Sequence, residues 1–576
     1  MNTQTHATSL RRALAAGSER LSAWSDLLDR INVFPVADGD TGRNLVISLH
    51  PLKDETRSID NLIQALLMSA RGNSGNIAVE FFHGLLTCFP QKDLTAAVTM
   101  GRDLAWGAVS DPRPGTMLSL FDALANALDE NQKLPSDKQA DSLLERLERS
   151  VFETNNQLKP LKDAGVVDSG ALGMFIFFEA FINHLHNRPQ EKKKIPERFK
   201  GFLSVQKSFS GRRETGFCVD AYVRTDEVNS LVSELEAMGE SVVTMKMGDT
   251  VKLHLHTNRI DRLRSQLEAR SQILGFSSDN LEDQTRDFAI TRKQQAIHIM
   301  TDAAGSVTRT DSKRLEMTIL DSYVNIGPRS FPETHLEPAE LYEAMRQGVS
   351  VSTSQASVYE RYQHFNKAMS MHDKVLYLPV GSVYTGNFDT AMRWKEKNDP
   401  HDRLRVIDTH AASGKLAMIA LACAERTITI EDPEQIIDLA HVAISQAEEW
   451  IFLDQLKWLA AGGRLSKSSA FFGDLLHMKP VVSPTKEGAK KIAVLHTRHA
   501  QLDFALQRLT RKISQNGPGK ILLQYTDNEQ WLLQEVLPSI SKEMKGCDVI
   551  THPMSLTSGT HMGPGTWAVA YMPELP

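Results

Sequence analysis

The spacing of apolar residues changes once along this chain, and the change limits what it can fold into. Up to about residue 187, apolar side chains recur at three- and four-residue intervals; from about residue 216, several runs alternate instead. A period near 3.6 buries one stripe of a helix, and a period of 2 buries one face of a strand, so no single element type serves both stretches. The first period predicts helices over Ser18–Asp29, Asn61–Ser69, Ala78–Leu86, Leu94–Gly107, Met117–Asp129, Lys138–Asn155 and Leu172–His186, separated by Gly- or Asp-rich loops. Residues 1–187 therefore read as an all-α domain. Residues 188–200 are polar, carry two prolines, and read as a linker. Within residues 201–290, GFCVDAYV (Gly216–Val223) and TVKLHLHT (Thr250–Thr257) alternate like strands, while Val228–Met238 and Ile260–Arg270 read as helices, giving a small α+β middle domain. Over residues 295–576, AIHIMTD, KVLYLPVG, RVIDT, KILLQY and TWAVAYM alternate with helical segments. That pattern predicts α/β layers with mainly parallel sheet. The fold class is multidomain: all-α, then α+β, then α/β.

At 576 residues, about four domain equivalents of roughly 150 each, the chain is long enough for this division. A net charge of −6, from 65 basic and 71 acidic residues, lacks the basic excess that a nucleic-acid partner needs. Four cysteines are too few for a disulfide scaffold and suggest a reducing compartment. The longest apolar stretches, Gly173–Ile182 and Leu416–Ala424, fall well short of the roughly 20 residues that span a bilayer. The N-terminus lacks an apolar leader with a cleavage site. A cytoplasmic protein is expected, with transient contact to a membrane surface left open.

NVFPVADGDTGRN (Asn32–Asn44) places Asp38 and Asp40 two apart on a glycine-containing turn. Carboxylates so spaced can converge on Mg²⁺, a hard cation that shares its oxygen ligands with substrate phosphates. Thr41, Gly42 and Asn44 then open an apolar helical run, whose free N–H groups suit a phosphate. A helix N-cap on a tight turn accounts for the same residues. ARGNSGN (Ala70–Asn76) puts Gly72, Ser74 and Gly75 just before another helix, where glycine permits close backbone approach and Ser74 can donate to a phosphate oxygen.

His254 and His256, at i and i+2 of a strand, share a face, and Cys218 lies on another predicted strand. Were the strands neighbours, three ligands with an open position would describe a catalytic zinc; two surface histidines and a small buried cysteine are the plain alternative. In the third block the hydroxyl-rich loops STSQAS and GSVYTGNFDTA, the glycine-flanked Arg464, and His561 in THMGPG lie at strand ends or unusual turns, where α/β sheets bind ligands. ST-turns, caps and exposed arginines explain each of them singly.

Together the motifs resemble known families. NVFPVADGDTGRN, SARGNSGN, PRPGTMLSL and LKDAGVVDSGALG, over Ser18 to His184, resemble the DhaL-type nucleotide-binding domain of the dihydroxyacetone kinases, a helical barrel that binds ATP. The resemblance implies Mg²⁺ on Asp38 and Asp40, with Asn32 as a third oxygen ligand where dihydroxyacetone-kinase members have Asp. It implies ATP phosphates held by Thr41, Asn44, Gly72, Ser74 and Gly75. GFCVDAYV and GESVVTMKMGDTVKLHLHTN resemble the middle domain of the catalytic chain of bacterial fatty acid kinase, implying Zn²⁺ on Cys218, His254 and His256. IMTDAAG, TSQAS, YTG, VIDTHAASGK, LAAGGRLSKSSAFFGDLLHMKPVV and THMGPG resemble the DegV family of fatty-acid-binding proteins, which bury an acyl chain between two α/β subdomains. That implies Thr353, Thr385 and His561 on the substrate carboxylate, with Arg464 facing the kinase or the membrane. Thr385 stands where many members have Ser, and Gly381-Ser382 replaces the commoner Ser-Ser.

The three resemblances imply one activity: ATP-dependent phosphorylation of a long-chain fatty acid to acyl phosphate, with Asp38, Asp40, Cys218, His254 and His256 as the catalytic set. An acyltransferase is the expected acceptor of the acyl phosphate, and transfer in trans would call for a homodimer. A non-catalytic fatty-acid carrier or sensor, and a glycerone-type kinase, are the alternatives.

Overall fold

The computed structural model describes residues 3–88, 93–129, 137–188, 194–209, 215–282, 295–461 and 478–575. They fall into two compact units, residues 1–290 and 291–576.

The first unit opens with helices α1 (Thr3–Ile31), α2 (Thr41–Leu49), α3 (Ile59–Ser69), α4 (Gly72–Cys88), α5 (Leu94–Ala108), α6 (Met117–Asp129), α7 (Asp137–Gln157), α8 (Lys159–Ala164) and α9 (Ser169–Leu185). Helix α9 is the hub: every residue from Ser169 to Asn183 is buried, as expected of a helix apolar on nearly all sides. Its Phe177, Phe178 and Phe181 interlock with Phe81 and Phe82 of α4 and Phe121 of α6 in stacked and edge-on contacts. The stretch read as a linker is packed from residue 194 onward. It forms the short helix α10 (Ile195–Arg198), Ile195 and Phe199 are fully buried, and Arg198 pairs with the buried Glu179, which also holds Arg20 at 2.6 Å. Two apolar anchors and a buried ion network explain why this polar segment is fixed rather than free.

A four-stranded antiparallel sheet follows, β1 (Phe217–Arg224), β2 (Glu240–Met247), β3 (Thr250–Thr257) and β4 (Gln272–Asn280), in the order β2-β3-β1-β4, with α11 (Val228–Glu236) and α12 (Ile260–Arg270). Val219, Ala221, Val223, Val251, Leu253 and Leu255 pack on Leu231, Leu235, Leu263 and Leu267 of these two helices. The alternate residues therefore face the other way, and β3 is buried along its whole length.

The second unit holds three sheets. Strands β5 (His298–Asp302), β6 (Thr318–Leu320), β10 (Val375–Leu378) and β11 (Leu404–Val406) are parallel, in the order β11-β10-β5-β6. Strands β7 (Ser322–Ile326), β8 (Arg329–Pro332) and β9 (Val351–Gln355) form an antiparallel three-stranded sheet. The largest runs β14-β13-β12-β17-β15-β16, built from β12 (Glu448–Phe452), β13 (Lys479–Thr485), β14 (Gly488–Leu495), β15 (Gly519–Tyr525), β16 (Asp548–Pro553) and β17 (Trp567–Pro573). Only β15 and β16 are parallel there, which corrects the expectation of mainly parallel sheet. The central strand TWAVAYM runs antiparallel to both neighbours, a choice that strand composition does not encode. Among the described residues no helix is long and apolar enough to cross a membrane.

Candidate functional site

The turn before α2 brings Asp38 and Asp40 together, both partly buried. Burial and the neighbouring Asp40 push the Asp38 carboxyl well above its usual range, and Asp29 adds to the effect. Burial also raises Asp40, outweighing the hydrogen bond from Asn44 and the charges of His254 and Arg43. A buried carboxyl pair in which Asp40 disfavours the ionised form of Asp38 suits a divalent cation. Asn32 packs against the pair: its amide nitrogen donates to Asp38 Oδ1 and its oxygen accepts from Ser169 Oγ at 3.2 Å, so it also orients Asp38.

Thr41 and Ser74 face each other, their hydroxyls 3.1 Å apart, and both line a cavity of about 540 Å³. Its wall also takes Phe34, Ile77, Met117, Asp168, Ser169, Gly170 and the start of β2. That volume suits a small organic ligand, for which pockets run from about 300 to 1,000 Å³. Asp168 caps α9 by accepting from the Ala171 N–H at 2.7 Å, and burial pushes its carboxyl up to about 7. The glycines also pack helices together. Helix α4 begins at Gly72, so Gly72, Ser74 and Gly75 lie inside its first turn rather than before it. A Cβ at Gly75 would lie 2.0 Å from Ser48 Oγ, and one at Gly72 2.1 Å from Asn44 Nδ2. Gly72 and Gly75 therefore let α4 approach α2 closely, while Asn44 turns toward Asp40.

Cys218, His254 and His256 converge. Their pairing on β1 and β3, Cys218 opposite His256 and Asp220 opposite His254, puts them on one sheet face. Cys218 Sγ lies 4.0 Å from each ring nitrogen of His254, and the candidate ligand atoms of all three lie within 4.8 Å of one another. Zn–S and Zn–N bonds of about 2.3 and 2.0 Å can span such a gap through one ion. Burial and neighbouring His254 hold His256 down to about 3, hence a neutral imidazole, and its buried Nδ1 has no hydrogen-bond partner. Burial and nearby carboxylates, Asp220 foremost, push the Cys218 thiol well up. A neutral imidazole with an unsatisfied nitrogen, beside a thiol surrounded by acids, fits a cation that takes sulfur and nitrogen.

Sequence reasoning missed Asp220 and Lys252 on the same face. Asp220 accepts from His254 Nδ1 at 3.2 Å, from the Gly72 N–H at 3.2 Å and from Asn76 Nδ2 at 3.4 Å. Burial would raise its carboxyl, but His254 and Lys252 outweigh burial and hold it down to about 2. Lys252 Nζ donates to the carbonyls of Leu67, Met68 and Ala70, and burial lowers the ammonium to about 8. Their i+2 spacing from Cys218 and His254 was the available signal.

In the second unit Thr353 Oγ1, on β9, lies 2.9 Å from His561 Nε2, on the helix Leu556–Met562. Thr385 is joined to them only indirectly. Its hydroxyl accepts from the Asn387 N–H, and Arg361 donates to both Asn387 and Gln355, the last residue of β9. Arg361 is a cation that the sequence reading did not single out. Glu333 accepts from the Thr557 N–H and hydroxyl at the start of the His561 helix. Arg464 lies outside the described residues.

The first unit thus holds a helical domain with a buried carboxylate pair and a ligand-sized cavity, and a sheet with a thiol–imidazole cluster; the second is an α/β unit. Family models match the same order. A DAK2 domain matches residues 35–183, the FakA-like middle domain of fatty acid kinase matches 214–288, and the DegV family matches 296–574. The chain thus carries a DAK2 domain, a FakA-like middle domain and a DegV family domain. Protein YloV of Bacillus subtilis is 28% identical over 306 residues, which cover 47% of this chain and 54% of that protein. An uncharacterized protein of Staphylococcus haemolyticus is 27% identical over 332 residues, covering 53% and 59%. The chain spans little more than half the length of these relatives. Among solved structures, the fatty acid binding protein DegV from Bacillus subtilis is 20% identical, with a TM-score of 0.44, covering 49% of this chain and 100% of that one. The Fatty Acid Kinase (Fak) B3 protein of Streptococcus pneumoniae, loaded with linoleic acid, is 14% identical with a TM-score of 0.42, covering 48% and 99%.

Proposed function

We propose that the chain transfers the γ-phosphoryl group of ATP to the carboxylate of a long-chain fatty acid, giving acyl phosphate and ADP. The carrying observation is the order of matched domains on one chain: DAK2, FakA-like middle, DegV. The finer division into residues 1–187, 201–290 and 295–576 belongs to the same proposal. A fatty carboxylate, with a pKa of about 4–5, is ionised at neutral pH, so no strong base is needed. Its oxygen forms a bond to the γ-phosphorus as the bond to the bridging oxygen breaks and ADP leaves. The work left to the protein is to bring two anions together in line.

Asp38 and Asp40 would hold Mg²⁺, and Cys218, His254 and His256 would hold Zn²⁺. When bound, these ions supply positive charge to the phosphate oxygens. Thr41 and Ser74 would orient the phosphates, and the apolar wall of Phe34, Ile77 and Met117 would take the base. Thr353, Thr385 and His561 would hold the carboxylate, with each buried CH₂ of the tail adding about 0.8 kcal/mol of affinity. An acyltransferase would consume the acyl phosphate, and a homodimer would serve transfer in trans. The cytoplasm is the matching location.

ADP formation by the full chain, measured with Mg²⁺-ATP and either oleate or dihydroxyacetone, tests the reading. Turnover that depends on oleate supports it. Turnover that depends on dihydroxyacetone replaces it with the sugar-kinase reading, and tight oleate binding without turnover replaces it with a carrier.

A further inference from the structure

The turn between α3 and α4, residues 70–72, carries Ser74 into the cavity and exposes two kinds of unsatisfied backbone group. Helix α3 ends in carbonyls that lack helical partners and bear partial negative charge; α4 begins with N–H groups of opposite character. The turn is tight: Gly72 has φ +62°, and its missing side chain admits Asn44. Both ends are met from one face of the middle sheet. Lys252, on β3 and 7% exposed, donates to the carbonyls of Leu67, Met68 and Ala70. Asp220, on β1, accepts from the Gly72 N–H and from Asn76, whose amide also donates to the Gly72 carbonyl at 2.6 Å. A cation on the carbonyl end and an anion on the N–H end match the two helix dipoles in sign. The strand register fixes their separation, since Tyr222 pairs with Lys252 and Asp220 with His254.

We infer that Asp220 and Lys252 are positioning residues that set the α3–α4 turn, and with it Ser74, for nucleotide phosphate. Neither lines the cavity: Lys252 touches backbone alone, and Asp220 touches the Gly72 N–H, Asn76 and His254, so both act on Ser74 through the turn. The middle domain thereby governs nucleotide affinity in the helical domain, beyond any role of the thiol–imidazole cluster. The inference rests on the reading of the cavity as a nucleotide site, and the test separates the two.

Mg²⁺-ADP binding to the full chain is measured by calorimetry for wild type, K252M, K252R and D220N, alongside thermal unfolding, zinc content and hydrogen exchange of the amides of residues 70–76. K252M is expected to weaken Mg²⁺-ADP about tenfold or more and to speed exchange in the turn, with zinc content unchanged; K252R recovers most of the loss. Wild type that fails to bind Mg²⁺-ADP overturns the nucleotide reading itself. Wild type that binds, with a folded K252M that binds equally well despite a lower Tm, overturns the positioning role and leaves a structural one. If K252M does not fold, D220N, which removes the charge and exchanges one acceptor oxygen for an amide, decides on the same readouts, with its zinc content brought to the wild-type value by added Zn²⁺.

Discussion

Asp302 in the second unit and Asp38 in the first are both carboxyls raised by burial, yet their surroundings differ. Asp302 accepts from the Tyr377 hydroxyl at 2.6 Å and the Val380 N–H at 2.7 Å, with Arg361 nearby. Glu449 likewise accepts from the Gly414 and Lys415 N–H groups at the start of a helix, and Glu333 from Thr557. Each of these acids is matched by donors built into the fold. Asp38 and Asp40 have hydrogen bonds with Asn32 and Asn44, and the charges of His254 and Arg43 act on Asp40, yet burial leaves both raised, with Asp40 and Asp29 adding to the rise of Asp38. Buried charge matched from within is architecture; buried charge left for a cation from solution is a site.

The comparison breaks most sharply at the pair itself. Asp38→Asn with Asp40→Asn should lower oleate-dependent ADP formation about a thousandfold or more. The same variant should unfold at a higher temperature than wild type in EDTA, because the mutual repulsion is gone. In the second unit the sign reverses. Asp302→Ala strands the Tyr377 hydroxyl and Val380 N–H and should destabilise by about 3 kcal/mol in denaturant unfolding. Thr353→Val removes a hydroxyl next to His561 and should weaken oleate binding about tenfold, read by titration.

The smallest effect is in pH. Burial holds Glu333 and Glu449 up to about 7, above the unfolded value of 4.5. The folded state therefore keeps protons that the unfolded chain has lost. Stability should fall as pH rises from about 4.5 to about 7 and level off above that, by about 1 kcal/mol per pH unit for each of the two groups. Glu333→Gln should flatten that fall in a Tm profile, and Mg²⁺ should leave the Glu333 contribution unchanged.

Much of this contrast was legible beforehand. The Asp38–Asp40 spacing and the i, i+2 histidines set out both clusters, since each depends on a local repeat. The strands β2 and β4 were missed: β2 has a register shift between Glu240 and Val243, and β4 is largely exposed and carries Gly275, so neither alternates cleanly. Asp220 and Lys252 were hard to read for a different reason, because their i+2 spacing from the cluster does not name their partners. Apart from His254, their partners lie 144 to 185 residues away in the chain, and a polar strand face ordinarily meets water. Gly72 and Gly75 carried a signal of close approach, and one object of it, a neighbouring helix, was not readable from the sequence.

Acyl phosphate is the product that sets a fatty acid kinase apart from a carrier or a sugar kinase. The most direct measurement is to incubate the full chain with Mg²⁺-ATP and oleate, add hydroxylamine, and detect the acyl hydroxamate by mass spectrometry. Hydroxamate from wild type and none from the Asp38→Asn, Asp40→Asn variant is the predicted result. No hydroxamate from wild type that binds both oleate and nucleotide would contradict the account.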